Sequence, residues 1–440
     1  MKKLSLIFAL LCVAFCSSYF ACKSPVQPTT SHNPLNLRAV LVSPVQVVLN
    51  WSNPANAANT YQLLRNGTAI ARDTVPPADT LGMYKDSSTL VPGTMYTYIL
   101  NHLVNGAPYD SDTLQVRTLD TTKDNYSWTI NKIGQAGSAL YSVWAASPQS
   151  VWACGFIDSS SHQQVYSLVH FQNGVPTFYG LAGVSIYNGV YGTSDSSIYI
   201  VADRVVAHYD GHQFTYHVFN GDSLPYIPPG LTSVWCTPNE SDVFAVGDSG
   251  IVVHRKPDMT WEIQHAPTML SLVAMKGFST TEIYAVAKDP NCTGCSGNIL
   301  EYNGTSWQII ATSTSSPTND SEVPAGDFTG ISGQSGDSLY TSGARIFKRN
   351  TAGWPLADAP CNTYSSSCSY YTEGVGGTWN SMWFVGDFGR VLHFNGAYWS
   401  TNYPFLNTGN NLILRNILVF PNDIYIVGGD DNSAWFIYGQ

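Results

Sequence analysis

Few residues in this chain carry reactive or ligating side chains, and their spacing limits the chemistry open to it. Beyond residue 22 the cysteines are Cys154, Cys236, Cys292, Cys295, Cys361 and Cys368. Cys292-Thr293-Gly294-Cys295 has the two-residue spacing of a redox dithiol, but it lies in a polar insertion and not where a strand hands over to a helix. A loop staple is the reading favoured, with metal binding and redox chemistry as the alternatives. Cys361 and Cys368 read as a second staple. Whether Cys154 and Cys236 pair is not legible in the sequence.

His170, His208, His254 and His393 resemble a ligand set only until their phase is considered. Each occupies the same position of a different repeat, which points to a structural role within a strand. Asp248, Asp387 and Asp430 lie in Gly-Asp turns, where a carboxylate commonly bonds its own backbone. The alternative is a ring of carboxylates around a channel mouth that could hold a cation or sugar hydroxyls. Phase along the repeats points to Tyr187, Arg204, Asp248, Arg345, Asp387, Arg390 and Arg415 as ligand-binding residues. Gly333-Gln334-Ser335-Gly336 lacks the spacing of a nucleophile elbow. No residue is expected to be catalytic, and no cofactor or resident metal is expected.

The elements that must position these residues repeat through the chain. Short apolar strand, polar turn and aromatic strand recur as SVWAASPQSVWACG from Ser142, NGVYGTSDSSIYIVAD from Asn188, TSVWCTPNESDVFAVGD from Thr232, SLVAMKGFSTTEIYAVAKD from Ser271, TGISGQSGDSLYTSG from Thr329, EGVGGTWNSMWFVGD from Glu373 and RNILVFPNDIYIVGGD from Arg415. The second strand of each copy carries an aromatic: Trp152, Tyr199, Phe244, Tyr284, Tyr340, Trp383 and Tyr425. A third strand and a tight hairpin follow in most copies, as at Asn303-Gly304 and Asn395-Gly396. The fourth strand adds Phe178, Phe214, Trp261, Trp307, Trp354 or Trp399. A period of roughly 40 to 45 residues holding about four strands is the signature of a β-propeller blade. The last copy stops at Gln440 without its fourth strand, and Tyr126-Ser127-Trp128-Thr129-Ile130 supplies a matching one upstream. Seven blades follow, the last built from both ends of residues 125–440, which removes two exposed sheet edges.

Residues 35–118 follow another pattern. Val45, Val47, Leu49 and Trp51 alternate onto one face, as a half-buried strand requires. With Tyr61-Gln62-Leu63-Leu64-Arg65-Asn66-Gly67 and Leu90-Val91-Pro92-Gly93-Thr94-Met95-Tyr96, this segment resembles a fibronectin type III domain over nearly its whole length. The resemblance implies a β-sandwich, a corner in which the Tyr96 hydroxyl bonds back to the backbone, and a spacer or adhesion role. The fold class expected is therefore all-β: a fibronectin type III-like sandwich followed by a seven-bladed propeller closed by N- and C-terminal strands. The hairpins at Asn303–Trp307 and Asn395–Trp399 resemble degenerate Asp boxes of sialidase-like propellers. They keep Gly and Trp but lack the leading Ser and the central Asp, and no nucleophile pair or arginine triad accompanies them.

Residues 1–21 read as a signal peptide, with Lys2 and Lys3 before an apolar run too short to span a bilayer. Tyr19-Phe20-Ala21-Cys22 resembles a bacterial lipobox, which implies acylation of Cys22, and residues 22–34 read as a flexible tether. An outer-membrane lipoprotein, periplasmic or at the cell surface, is the expected location, with simple secretion as the alternative. A formal charge of -10 with 11% charged residues leaves no basic stripe for nucleic acid.

Insertions at Phe156–Tyr166, Asp289–Gly297, Thr312–Gly326 and Ala357–Tyr371 fall on the side expected to be the top face of a propeller, the usual mark of a binding face. The function expected is non-catalytic binding of protein or polysaccharide there, by a monomer that meets the membrane only through its lipid. The alternative is a glycan-active hydrolase or lyase using top-face carboxylates.

Overall fold

A computed structural model of the chain describes residues 35–53, 58–159, 164–183, 186–219, 230–313, 326–350, 353–357, 359, 371–378, 380–401, 404–405 and 411–440. The signal peptide, Cys22, the tether, Cys361 and Cys368 lie outside the described residues. The chain divides into two units, Met1–Thr121 and Thr122–Gln440.

In the first unit, three strands, Arg38–Val42, Val47–Ser52 and Leu81–Asp86, form one sheet. Thr68–Val75, Asn59–Arg65, Met95–Val104 and Ala107–Arg117 form a second. Val47, Leu49, Trp51, Tyr61, Leu63, Tyr98 and Leu100 fill the core. Val45 falls outside the strand expected to begin with it, in the turn ahead of Val47. Asp86 is wholly buried and is compensated by Arg65, whose Nη1 donates to both carboxylate oxygens at 3.0 and 2.9 Å, and by the Tyr98 hydroxyl at 2.8 Å. The Tyr96 hydroxyl accepts the Val91 N–H at 2.8 Å.

Among the described residues the second unit holds seven sheets, numbered here in chain order. Their inner strands are Ala139–Ser147, Gly189–Ser194, Leu231–Cys236, Ser271–Ser279, Phe328–Gly333, Thr372–Thr378 and Ile413–Val419. Each packs on the next, and Ile413–Val419 packs on Ala139–Ser147. The seventh sheet takes its outer strand from upstream: Trp128–Ile133 pairs antiparallel with Ala434–Gly439. Its strand starts at Trp128, two residues later than expected, although paired bonds between Ser127 and Gln440 extend the ladder. Tyr126 and Trp128 then pack edge-on against Trp383 and Phe405, with centroids 5.3 and 5.2 Å apart.

One register runs through all seven sheets. The second-strand aromatics Trp152, Tyr199, Phe244, Tyr284, Tyr340, Trp383 and Tyr425 face His170, His208, His254, Glu301, Lys348, His393 and Tyr438 on the third strand. The four histidines stack on their aromatics at 3.8 to 4.3 Å. Two residues before each aromatic stands a polar group: Ser150, Ser197, Asp242 and Ser381 each bond the Nε2 of the stacked histidine. An aromatic plate thus fills the wedge between sheets while its polar partner pairs the imidazole Nε2, so that nitrogen is not buried unpaired.

One expectation fails in part: the fifth sheet has three strands, and Trp354, though buried, lies on none of them, between the isolated bridges Asn350–Gly353 and Phe347–Leu356. Pro355 follows it and has no N–H to give a ladder, although its carbonyl accepts the Lys348 N–H. Within the insertion at 156–166, strands Ser150–Ser159 and Gln164–Gln172 continue their pairing through Ile157–Tyr166 and Ser159–Gln164.

Pairing of the two ends yields a test. Trp128→Ala removes a half-buried ring, for which a cost of about 2 kcal/mol is expected, and deletion of residues 125–132 should cause aggregation or a large drop in Tm. Deletion of residues 35–118 should leave the Tm of the second unit in place. A calorimetric melt showing no loss on deleting 125–132 contradicts the pairing.

Candidate functional site

The inner strands surround a cavity of about 330 Å³ to which all seven contribute. Its chemistry depends on a local irregularity. In six of the seven sheets the ladder between inner and second strand skips a residue at its cavity end: Tyr141, Thr232, Val273, Thr329, Glu373 and Arg415. A bulged residue escapes strict alternation and is re-aimed, and all six line the cavity. The second sheet has no bulge there; Asn188 lines the cavity instead and donates to the Leu231 carbonyl at 2.9 Å.

The two threonines at this position act as ties between sheets. Thr232 donates to the Leu272 carbonyl at 2.5 Å and Thr329 to the Thr372 carbonyl at 2.7 Å. Tyr141, Glu373 and Arg415, on three consecutive sheets, keep their functional groups for the cavity. Val143, Val190, Val234, Met275, Ile331 and Val375, further along the same strands, add apolar lining.

Lys288, the last residue of strand Glu282–Lys288, joins them. The Arg415 guanidinium stacks over Tyr141 at 5.0 Å, and the Lys288 ammonium sits 5.8 Å from the Tyr371 ring. Burial pushes the Glu373 carboxyl above its ordinary range; Lys288 and Arg415 oppose this, and Asp387 and Asp327 reinforce it. Burial likewise raises Asp387, against the pull of Arg415 and then Lys288. These four charged groups therefore act on one another. The Arg415 Nε is buried and has no hydrogen-bond partner among the described residues.

Of the residues chosen from phase, Asp387 and Arg415 belong to this cluster. Tyr187 does not: its side chain is fully buried in the wedge between the first two sheets, and its hydroxyl donates to the Ala182 carbonyl at 2.8 Å. Arg390 is also buried, held in the turn where its N–H meets the Asp387 carbonyl. Phase assigns a face but not a depth, and both residues fall inside. Asp248 accepts the Gly230 N–H at 3.0 Å, and Asp430 caps its own turn through the N–H groups of Asn432 and Ser433. Asp248 and Asp430 thus each spend a carboxylate oxygen on backbone N–H groups. Arg204 and Arg345 are half-buried in turns and do not line the cavity. Glu373, Lys288, Tyr141 and Tyr371 were missed, although an alignment of the seven inner strands places Tyr141, Glu373 and Arg415 in one column.

Cys292 and Cys295 form a disulfide, and Cys154 and Cys236 are free and buried. The four histidines lie in the first, second, third and sixth sheets. No group of three or more His, Cys, Asp or Glu suited to a metal occurs among the described residues.

No protein-family model and no curated protein matches the chain. Solved structures do. The structure described as YCF48 bound to D1 peptide superposes with a TM-score of 0.53 at 15% identity, covering 72% of this chain and 96% of that one. The β-propeller domain of Myceliophteria_thermophila Cps50 (Swd1) gives 0.48 at 12% identity, with 71% and 99% covered. The WD40 β-propeller domain of Doa1 gives 0.46 at 11%, with 72% and 97% covered. The likeness to the first shows a fold: the protein is all-β and contains a β-propeller.

The histidine stacks generate a pH prediction. Burial is the main cause holding His170, His208 and His393 below the ordinary imidazole range, although Asp195, Glu240 and Asp124 pull the other way. A folded pKa below the unfolded value of about 6.5 means the stability is fully present above that value and is lost as pH falls through the folded one. The urea midpoint should drop between pH 7 and pH 5, and the drop should shrink in His393→Gln. An equal drop in parent and variant contradicts the assignment.

Proposed function

We propose that the second unit is a seven-bladed propeller, closed by the pairing of Trp128–Ile133 with Ala434–Gly439, and that it is a non-catalytic binding module for an extended polypeptide. The ligand sits at the channel mouth over Tyr141, Lys288, Glu373, Asp387 and Arg415. The observation that carries this reading is the bulge column, which delivers Tyr141, Glu373 and Arg415 to a cavity that Lys288 also lines, with Asp387 acting on Glu373 beside them. Mixed charge above apolar lining suits a polypeptide, which offers side chains of both kinds and unpaired backbone groups. The fold likeness to YCF48, described as bound to D1 peptide, supports a peptide over a polysaccharide as the partner of such a surface.

A glycan hydrolase is the second reading, because Glu373 and Asp387 both titrate high and a raised carboxyl is what a general acid requires. Acid–base pairs work when their environments drive the two pKa values apart. Here burial raises both, and the same two cations moderate both, which favours binding.

The paired three- and four-stranded sheets of the first unit, with the Tyr96 hydroxyl bonded to the Val91 N–H, support a fibronectin type III-like spacer. An outer-membrane lipoprotein acylated at Cys22 is proposed from the sequence of residues 1–22 alone.

Capture from a pooled peptide library, with a glycan array alongside, tests the function. Arg415→Ala with Lys288→Ala should weaken peptide capture about tenfold or more, as loss of charge-assisted contacts implies, with Tm unchanged. Capture that survives both substitutions, or polysaccharide cleavage that Glu373→Gln abolishes, contradicts it. For the anchor, Cys22→Ser should release the protein from the membrane fraction; a variant that still partitions with membranes refutes acylation there.

A further inference from the structure

We propose that the Cys292–Cys295 disulfide is a thiol-sensitive latch on the channel mouth, acting through Asp327 as a positioning residue. This deepens the binding reading and rests on it. The stapled segment joins strand Glu282–Lys288 to strand Gly297–Tyr302, so it begins one residue after Lys288. Its turn is held by the Asn291 N–H on Asp289 Oδ1 at 2.9 Å, the Asp289 N–H on the Ser296 carbonyl at 3.3 Å and the disulfide itself. At its tip Gly294 adopts φ +75°, a conformation a side chain disfavours. There its N–H donates to Asp327 Oδ2 at 2.9 Å.

Asp327 is wholly buried, and the same Oδ2 accepts the Tyr371 hydroxyl at 2.5 Å, while Oδ1 has no hydrogen-bond partner among the described residues. A buried carboxylate with a single donor fewer is poorly compensated, so Gly294 is half of what holds this one in place. Tyr371 carries the consequence into the mouth. Its ring faces Lys288, its carbonyl accepts the Asp387 N–H at 3.1 Å, and Glu373 follows two residues later. Asp327 also acts directly on the Glu373 carboxyl. One carboxylate thus connects the stapled loop of the fourth sheet to the fifth and sixth sheets and to three of the charged groups at the mouth.

Reduction by an external dithiol is balanced. The Cys292–Cys295 S–S bond breaks, each sulfur takes a proton to become a thiol, and the dithiol, having given up two electrons and two protons, closes to its own disulfide. Cys292 and Cys295 are both part-exposed, so a small reductant reaches them. Once the loop is free, the Gly294 N–H leaves Asp327. The carboxylate then turns toward whatever donor remains, and Tyr371 moves with it.

Hydrogen exchange on the full chain, with and without dithiothreitol, reads this without any ligand. Reduction should speed exchange at Gly294 and across residues 371–374, by about tenfold where a protecting contact is lost, and leave Ala139–Ser147 unchanged. Cys292→Ser with Cys295→Ser should show the fast pattern in both conditions, which separates this bond from any other disulfide. Asp327→Asn should abolish the response at 371–374 while Gly294 still responds. Equal exchange at 371–374 with the disulfide intact and broken overturns the latch. Peptide capture is scored separately: capture that Arg415→Ala lowers but dithiothreitol leaves unchanged, with exchange at 371–374 also unchanged, overturns the latch and keeps the site. A faster 371–374 segment supports the latch even where no peptide is captured, and in that case the binding reading fails alone.

Discussion

Everything in the second unit follows from the need to leave no inner sheet edge unpacked. A twisted sheet of three or four strands has a free edge and two apolar faces, and neither is stable alone in water. Here each inner strand packs on the next, and Ile413–Val419 packs on Ala139–Ser147. The seventh sheet completes itself only by recruiting Trp128–Ile133, far upstream in the chain. Local pairing builds the other six sheets, whereas this one requires a contact between residues some three hundred positions apart, a loop whose closure entropy the buried aromatics must offset.

The wedges between sheets explain why aromatics recur at one phase. A wedge widens with distance from the axis, and a flat ring backed by imidazole, Tyr or a long charged side chain fills it. The same geometry crowds the inner strands near the axis. Bulges relieve the ladder there and turn one residue into the cavity in six of the seven sheets, so a device that eases packing also defines the site. Thr232 and Thr329 use the position to tie sheets together, and Tyr141, Glu373 and Arg415 use it to present chemistry.

Much of the fold was legible because periodicity and turn residues are local. The seven aromatics, the hairpins at Asn303-Gly304 and Asn395-Gly396, and the strand around Trp128 all announce themselves in short windows. The site was less legible. A bulge leaves no mark in composition, and Glu373 reads as an ordinary strand residue until the seven inner strands are stacked in register. Tyr187 and Arg390 were drawn to the surface by phase, yet depth depends on packing partners such as Leu181 and Asp387 that phase does not reveal. The role of Asp327 depends on contacts to Gly294 and Tyr371, 33 and 44 residues away.

The central claim is that a polypeptide sits over the mouth framed by the bulge column. Photocrosslinking reads this directly, with a photoreactive amino acid placed at Val273, which lines the cavity beside the charged groups, and in a separate protein at Ser279, at the opposite end of the same inner strand. The account predicts a peptide adduct from position 273 and none from position 279. An adduct from 279 alone, or equal labelling from both, contradicts it.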